Sequence, residues 1–453
     1  MDGQDALGPI DPSGELRHLA DDCVHCGFCL PACPTYQLWG EEMDSPRGRI
    51  HLISQLLDGT PGTAATAVHL DRCLGCMACV PACPSGVRYD RLIGAARSWA
   101  EEPPAGTAGS APLPARSRRD RAARAAIFAT FPYPRRLRPL LAPLRAAQGL
   151  RLDGLLARSG LAERLSPELA AALRVAPAPD RTRLPGTPHK LPGRVPARGQ
   201  RRAVVGMLTG CVQQVFFPGV NAATARVLAA EGCDVVIPPG QGCCGALSMH
   251  GGRATEAKRF ARRTIATFER AGVDAIVVNA AGCGSAMKEY AELLAGDGGW
   301  GPRAAALSAR VRDFTEFLAD LGPAARRHPL PVRAAYHDAC HLGHAQRITA
   351  QPRGLLTAIP GLELAEIPDG STCCGSAGIY NLVQPDAARE LGERKATAIS
   401  STGAQLLISA NPGCTLQISA ALAARGTVLP MAHVAEVLDA SLRGAPASRI
   451  LGA

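Results

Sequence analysis

Residues 23–34 read Cys-Val-His-Cys-Gly-Phe-Cys-Leu-Pro-Ala-Cys-Pro, and residues 73–84 repeat the pattern as Cys-Leu-Gly-Cys-Met-Ala-Cys-Val-Pro-Ala-Cys-Pro. Both copies have the spacing C-x2-C-x2-C-x3-C-P. Three thiolates within seven residues can hold three corners of one compact metal cluster only if the chain between them turns tightly. Gly27 and Gly75 suit such turns because glycine has no side chain to obstruct a close approach. The two stretches therefore predict a pair of metal centres near the N-terminus.

This spacing is the bacterial ferredoxin pattern for [4Fe–4S] clusters, in which the fourth cysteine of each run binds the cluster of the other run. Structural zinc sites instead pair C-x2–4-C units across a longer spacer, so zinc is disfavoured. Exchange of the fourth cysteine predicts two mixed ligand sets, which are Cys23, Cys26, Cys29 and Cys83 for one cluster and Cys73, Cys76, Cys79 and Cys33 for the other.

The 39 residues between Cys33 and Cys73 exceed what a compact ferredoxin needs. Asp44 or Ser45 can cap a helix in this insert, and Pro46 suits its first turn. Aliphatic residues then recur at helical spacing through residues 50–57. We therefore predict an α-helical two-cluster ferredoxin-type domain over residues 1–100.

A second cysteine region carries Cys243-Cys244-Gly245 and Cys373-Cys374-Gly375. The other cysteines align with these anchors at an almost constant offset. The separations are 129 residues from Cys211 to Cys340, 130 between the anchors and 131 from Cys283 to Cys414. Such agreement indicates an internal repeat of about 130 residues.

Short apolar segments alternate with helical patterns in both copies. The segments are 204–208, 235–237 and 275–278 in the first copy and 334–336 and 406–408 in the second. This alternation is typical of parallel sheets, in which ligands bind at loops beyond the strand ends. We therefore predict an α/β class for two repeated Cys-Cys-Gly domains with short parallel sheets, over residues 201–325 and 326–445.

Each repeat supplies one candidate cofactor site. The two sets are Cys211, Cys243, Cys244 and Cys283, and Cys340, Cys373, Cys374 and Cys414. Adjacent cysteines form strained disulfides, so each set suits an iron–sulfur cluster or a redox-active dithiol, with simple packing of buried thiols as the alternative. Cys233 lies outside the aligned sets and is interpreted as a packing residue. His337, Asp338, His341 and His344 suggest metal ligation as one interpretation, but we favour polar groups that open a helix, with Asp338 as its cap.

The formal net charge of +10 is concentrated in residues 101–200, which hold 18 Lys or Arg against 7 Asp or Glu. Prolines and alanines interrupt this basic stretch, and its only aromatic residues are Phe128, Phe131 and Tyr133, so a nucleic-acid-binding face is not expected. We interpret the segment as a solvated linker with helices. The alternative is a docking surface for an acidic subunit or for anionic lipid.

The sequence contains no run of 18 or more apolar residues, so a membrane-spanning helix is not expected. Residues 1–5 lack the basic start and apolar stretch of a secretory signal. We therefore expect a cytoplasmic protein. In that compartment the 17 cysteines stay reduced and act first as metal ligands or redox groups.

Several segments together resemble the iron–sulfur subunit of glycolate oxidase, a glycolate dehydrogenase. They are Cys23–Cys29, Cys33–Gln37, Ser45–Ile50, Cys83–Tyr89, Asn221–Leu228, Lys288–Tyr290 and both Cys-Cys-Gly segments. The same combination occurs in subunits for lactate and glycerol-3-phosphate oxidation and for heterodisulfide reduction. Relatives of the last kind end each Cys-Cys-Gly site in C-x-x-C. Here Cys283 and Cys414 have no such second cysteine, which makes disulfide chemistry less expected.

The resemblance implies an electron-transfer subunit with two [4Fe–4S] clusters and no activity of its own. FAD-containing partner subunits would oxidise glycolate to glyoxylate, and electrons would pass toward the quinone pool, with the chain peripherally associated with the inner face of the cell membrane. The presence of a further iron–sulfur cluster at the Cys-Cys-Gly sites is left as an open alternative. No nucleic-acid partner is expected. The alternatives are a lactate or glycerol-3-phosphate dehydrogenase subunit, a heterodisulfide-reductase-like thiol–disulfide enzyme and an iron–sulfur scaffold.

The mixed ligand sets give a first testable prediction. Cys33→Ser should damage the cluster held by the second motif, although Cys33 belongs to the first. Electron paramagnetic resonance of the reduced protein separates the two centres. Damage confined to the cluster of the first motif would contradict the exchange of fourth ligands.

Overall fold

The computed structural model describes residues 10–103, 112–140, 167–175 and 191–452. A helical N-terminal part is followed by two α/β parts, each with its own sheet. The predicted fold class, α/β with an α-helical ferredoxin part, is confirmed. The N-terminal residues 1–9 and the linker segments 104–111, 141–166 and 176–190 lie outside the described residues, as do the predictions made for them.

Short helices surround the two ferredoxin loops. They are α1 (Glu15–Asp21), α2 (Pro34–Trp39), α3 (Pro46–Leu57), α4 (Ala64–Asp71), α5 (Cys79–Ala82) and α6 (Tyr89–Glu101), with a 3₁₀ turn at Glu42–Asp44. Helices α3 and α6 share one apolar core, in which Ile53, Leu57, Leu92 and Ile93 are almost completely buried. This core holds both loops on a common support.

Helix α3 begins where the sequence predicted. Ser45 occupies its N-cap, and the Ser45 hydroxyl accepts a hydrogen bond of 3.0 Å from the Gly48 N–H. Such a cap satisfies one of the backbone donors that every helix leaves free at its start. Because the start is fixed, the first turn of α3 carries Arg47 and Arg49 toward the cysteine loops.

Two helices belong to the basic linker, α7 (Arg118–Thr130) and α8 (Pro167–Arg174), and residues 134–140 are also helical. Arg124 of α7 is 8% exposed and pairs with the Glu101 carboxylate at 3.1 Å. Phe128 is buried in a cluster with Ile379 of the second repeat. The prediction of a solvated linker is therefore wrong for α7, because one face of this helix is packed between domains.

The first Cys-Cys-Gly domain contains a five-stranded sheet of order β1-β3-β2-β4-β5. Its strands are β1 (Arg194–Val195), β2 (Ala203–Met207), β3 (Cys233–Val236), β4 (Ala275–Val278) and β5 (Val311–Asp313), and its helices are α9 (Val212–Phe216), α10 (Pro218–Ala230), α11 (Ala246–His250), α12 (Ala254–Glu269), α13 (Ala281–Lys288), α14 (Tyr290–Leu293), α15 (Gly301–Ser308) and α16 (Phe314–Leu321). Only the pair β1–β3 is antiparallel; β2, β3, β4 and β5 run parallel.

The second domain repeats this plan with a fully parallel sheet of order β7-β6-β8-β9. Its strands are β6 (Val332–His337), β7 (Leu362–Ala365), β8 (Leu406–Ser409) and β9 (Met431–His433), and its helices are α17 (Cys340–Gly343), α18 (Ala350–Thr357), α19 (Tyr380–Val383), α20 (Pro385–Ser400), α21 (Pro412–Ala424), α22 (Val434–Leu442) and α23 (Ala447–Leu451). Strands β2, β3, β4 and β5 correspond in order to β6, β7, β8 and β9. The predicted repeat and its parallel sheets are confirmed.

The two repeats share one buried core built from both sheets and from helices α10 and α22. Arg226 of α10 donates two hydrogen bonds to the carboxylate of Asp439 on α22, at 2.9 and 2.7 Å. Asp439 is only 1% exposed. A bidentate ion pair thus joins the repeats at a point where the aspartate has little access to water.

One local prediction fails at the start of α17. Ala339 occupies the N-cap position, and no side chain caps the helix. Asp338 instead accepts two hydrogen bonds from the Arg353 guanidinium, at 2.8 and 2.7 Å. The prediction of Asp338 as the cap is wrong because a bidentate arginine from α18 competes for the carboxylate.

The longest of the described helices, α12 and α20, have 16 residues each, and both carry charged residues along one side. A helix needs about 20 mostly apolar residues to cross a bilayer. Among the residues that the structure describes, no helix meets the length and apolarity of a membrane span.

The ion pair between the repeats gives a second prediction. Asp439→Ala should lower the free energy of unfolding by about 3 kcal/mol, because it leaves the Arg226 charge unpaired beside the core. Asp386→Ala is the matched control. Asp386 is 91% exposed and pairs with an exposed Arg389, so its loss should cost less than about 0.5 kcal/mol. Urea unfolding followed by circular dichroism measures both, and equal effects would contradict a structural role for the pair.

Candidate metal centres

The first ferredoxin loop forms the wall of a pocket in which three of its cysteines, Cys23, Cys26 and Cys29, meet Cys83 from the second run. Cys79 also lies on this wall. Burial raises the pKa of Cys23, and the nearby thiols of Cys83 and Cys26 raise it further. These four are the cysteines that exchange of the fourth ligand assigns to one cluster.

The remaining four ferredoxin cysteines lie deeper. Burial raises the pKa of Cys79, and so do the charges of Cys76, Cys73 and Cys33. Cys33 is buried, and its sulfur lies 3.2 Å from the Thr35 hydroxyl. Cys33 therefore lies near thiols of the second run, and its charge also acts on Cys29 of its own loop.

Both loops follow the same unusual backbone path. His25 and Gly27 in the first loop have φ values of 53° and 87°, and Gly75 and Met77 at the matching positions have 66° and 61°. Left-handed φ is uncommon for residues other than glycine. The two loops thus share one geometry, with glycine at only one of the two left-handed positions in each.

An arginine donates a hydrogen bond to a backbone carbonyl in each ferredoxin loop. The Arg47 guanidinium donates to the His25 carbonyl at 3.0 Å, and that of Arg97 donates to the Cys73 carbonyl at 2.5 Å. A Cβ at Gly27 would lie 2.9 Å from Arg47 Nη1, and a Cβ at Gly75 would lie 2.8 Å from Arg97 Nη1. Glycine is favoured at both positions by the left-handed φ, and a side chain there would displace the guanidinium group of the arginine.

A buried ion network lies beside the second loop. Arg49 is 1% exposed and donates to the His69 carbonyl at 2.7 Å, to the Thr35 hydroxyl at 3.1 Å and to the Asp44 carboxylate at 3.3 Å. Asp44 is fully buried and also accepts from Arg72 at 2.8 Å. Burial opposes the charge of Arg49, but the neighbouring groups, among them the thiols of Cys73 and Cys33, outweigh it and raise the pKa of Arg49.

The same network favours an ionised Cys73. Burial alone would raise the pKa of this thiol, but the charges of Arg49 and Arg97 lower it overall. The Tyr89 hydroxyl donates to the Cys73 sulfur at 3.4 Å, and the Gly75 N–H donates at 3.3 Å. Positive charge and N–H or O–H donors at ligand sulfurs raise the potential of an iron–sulfur cluster. Sequence reasoning gave Arg49 no role beside the cysteines, although this residue lies in the Ser45–Ile50 segment that carries the family resemblance.

In the first Cys-Cys-Gly domain the four candidate cysteines come together at the carboxyl ends of β2, β3 and β4. The Cys211 thiol donates to the Cys243 sulfur at 3.6 Å, and the Gly245 N–H donates to the same sulfur at 3.3 Å. Hydrogen bonds from Cys243 and Cys283 hold the pKa of Cys244 well below its usual value. Cys233 lies apart in the shared apolar core, as predicted.

The second domain repeats this arrangement. The Gly375 N–H donates to the Cys373 sulfur at 3.4 Å, and hydrogen bonds from Cys373 and Cys414 hold the pKa of Cys374 well below its usual value. Gly375 has φ of 87°, and a Cβ there would lie 2.7 Å from the Ala388 carbonyl oxygen. Glycine after the paired cysteines is therefore required by both backbone conformation and space.

The second Cys-Cys-Gly site adjoins the second ferredoxin loop. A His341 ring nitrogen lies 3.0 Å from the Gly75 carbonyl oxygen. Burial raises the pKa of Cys76, and the next cause is the charge of Cys340 from the second site. Leu74 packs in one apolar cluster with Cys340 and Cys373. The two sites are thus neighbours in the folded chain.

Comparison with known proteins agrees with this division of the chain. Residues 19–87 match the model of a 4Fe-4S dicluster domain, and residues 205–288 and 334–419 each match a cysteine-rich domain. Residues 119–176 match the linker region of the glycolate oxidase iron–sulfur subunit. The dicluster and cysteine-rich matches support iron–sulfur clusters as the cofactors.

The relatives extend over nearly the whole chain. A probable glycolate oxidase iron–sulfur subunit of Bacillus subtilis (strain 168) is 36% identical over 94% of both chains. The chain belongs to the glycolate oxidase iron–sulfur subunit family. The Escherichia coli (strain K12) member is 37% identical over 88% of this chain and 89% of its own. Lactate utilization protein A of Shouchella clausii (strain KSM-K16) is 34% identical over 52% of this chain and 98% of its own.

The buried network gives a third prediction. Arg49→Met should lower the reduction potential of the second cluster by roughly 50–100 mV, because it removes a positive charge that favours the reduced state. Arg49→Lys is the matched control, since it keeps the charge while losing the planar set of donors. A potentiometric titration followed by electron paramagnetic resonance measures the shift. If Arg49→Lys and Arg49→Met lower the reduction potential equally, the charge of Arg49 is not the cause of the shift.

Proposed function

We propose that this chain is the electron-transfer subunit of a complex that oxidises glycolate to glyoxylate. An FAD-containing partner subunit removes two electrons from the substrate, and this chain accepts them singly and passes them toward the quinone pool. We further propose a cytoplasmic location with peripheral association at the inner face of the cell membrane. The family membership supports the subunit role, and the match of residues 19–87 to a 4Fe-4S dicluster domain, which contains all eight ferredoxin cysteines, supports the electron path.

The proposed ligand sets are those of the exchange, Cys23, Cys26, Cys29 and Cys83 for the first [4Fe–4S] cluster and Cys73, Cys76, Cys79 and Cys33 for the second. The observation that carries the proposal is the placement of the two fourth cysteines. Cys83 shares a pocket with the first loop, and the charge of Cys33 acts on Cys76 and Cys79. This placement requires the two loops to fold together.

The first cluster is the one that can exchange electrons with another protein. Cys26 is exposed, and Val24 and Phe28 beside it are 69% and 67% exposed. Cys73 and Cys79 of the second set are buried. An apolar rim around a cluster near the surface is typical of a contact with a redox partner, because electron transfer needs a short, dry path.

The thiol–disulfide alternative finds less support. Cys244 and Cys374 have the lowered pKa values that a nucleophilic thiol needs, but they are 1% and 0% exposed. An attacking thiolate must reach the disulfide of its substrate. Lactate is the second candidate substrate for the complex, because half of the chain matches lactate utilization proteins almost over their full length.

An anaerobic reduction assay tests the proposal. The purified chain alone should not oxidise glycolate, and its cluster absorption should bleach on glycolate addition only when the co-purified flavoprotein is present. Lactate and glycerol-3-phosphate, tested in parallel, identify the substrate class of the complex. Cys26→Ser should slow the bleaching when the flavoprotein is present, because this substitution disturbs the exposed cluster. Glycolate oxidation by the chain alone would contradict the proposal.

A further inference from the structure

The two Cys-Cys-Gly sites differ at one position. His337 stands at the end of β6, three residues before Cys340, and Leu208 stands three residues before Cys211 in the first repeat. His337 is fully buried. The second site thus has an imidazole where the first has an aliphatic side chain, although the four cysteines correspond one for one.

The imidazole lies against two of these cysteines. Three ligand atoms, one from each of His337, Cys374 and Cys414, lie within 4.8 Å of one another. Within the described part of the chain, no other trio of His, Cys, Asp or Glu side chains brings its ligand atoms so close. The first repeat, with Leu208 in place of the histidine, does not form such a group.

The hydrogen-bonding capacity of the His337 imidazole is also unused. Neither ring nitrogen makes a hydrogen bond of standard geometry to the described residues, although the ring lies beside the sulfurs of Cys374 and Cys414. Leaving a buried polar group unsatisfied costs about 1–3 kcal/mol. A ligand at this site would satisfy one ring nitrogen and both sulfurs together.

We propose that His337, Cys374 and Cys414 bind a single divalent transition-metal ion of the zinc type, and that the first repeat binds none. Thiolate and imidazole ligands together suit zinc, which bonds sulfur at about 2.3 Å and nitrogen at about 2.0 Å. Tetrahedral bonds of that length place neighbouring ligand atoms roughly 3.5–4 Å apart, which lies within the 4.8 Å limit found for this group. A [4Fe–4S] cluster holds its ligands around a cube and separates them further.

The ion would also balance charge beside the electron path. Zinc binding would release the thiol protons of Cys374 and Cys414 to solvent, and the divalent cation would neutralise the two thiolates formed. Cys340 of this site lies near Cys76 of the second ferredoxin loop. The ion would therefore cross-link the end of β6, the Cys-Cys-Gly loop and the start of α21 within the second repeat, next to the second ferredoxin loop, and it would take no part in electron transfer, since zinc has no redox chemistry.

Elemental analysis of the full chain tests the proposal. Protein purified anaerobically from zinc-supplemented cells should keep one zinc per chain after dialysis against a weak chelator, alongside its iron and acid-labile sulfide. His337→Leu, which copies the first repeat, should lose the zinc and keep the iron. Cys244→Ser in the first repeat is the matched control and should keep both. Replacing zinc by cobalt in the unmutated chain should give the visible absorption of cobalt bound to thiolates, and this test does not depend on the folding of a variant.

Three results would overturn the proposal. Zinc that stays bound in His337→Leu would be an adventitious ion only. Iron and sulfide that fall together in His337→Leu, with no zinc in the unmutated chain, would show a third iron–sulfur cluster. Zinc lost from Cys244→Ser as readily as from His337→Leu would place the ion elsewhere. None of these results bears on which substrate the complex oxidises, so the proposed function is tested separately.

Discussion

Thiolates brought together inside a protein repel one another and lose their hydration, and the whole chain is organised around this constraint. At the second ferredoxin loop the cost is offset by Arg49 and Arg97, whose charges lower the pKa of Cys73 despite its burial. At the Cys-Cys-Gly sites the thiols share hydrogen bonds instead, so that Cys244 and Cys374 each become the favoured anion of their group. The second ferredoxin loop therefore carries fixed charge compensation at Cys73, whereas the repeats depend on protons or on an added cation.

The chain contains two internal duplications, and in both of them the two copies have diverged. The ferredoxin loops keep the same pair of left-handed positions but place glycine differently, at Gly27 in one and Gly75 in the other. The Cys-Cys-Gly repeats keep eight matching cysteines but differ at Leu208 and His337. The second repeat also supplies His341, which contacts the Gly75 carbonyl. The second repeat thus lies against the electron-carrying domain through its cysteine site.

The sequence predicts those features that depend on spacing and periodicity. The cap of α3 at Ser45, the strand positions and the grouping of the cysteines all follow from local patterns, and the parallel sheets follow from their alternation with helices. Features that depend on distant partners could not be predicted. Arg49 looks like one of two arginines in the first turn of α3 until the fold brings it beside Cys73. His337 is separated from Cys374 by helices α17 and α18 and strand β7. The prediction of a solvated linker failed at Phe128 for a related reason. The average composition of the segment does not show that one face of helix α7 is packed.

The central claim is that two [4Fe–4S] clusters, tied together by exchanged ligands, carry single electrons through this chain. Stepwise reduction of anaerobically purified protein, followed by electron paramagnetic resonance, tests it most directly. The account predicts one paramagnetic centre at partial reduction and a second at lower potential. Full reduction should give a spectrum altered by magnetic coupling, because the exchange of Cys33 and Cys83 holds the clusters close together. Zinc in place of iron in the ferredoxin domain, or no reducible paramagnetic centre, would contradict the account.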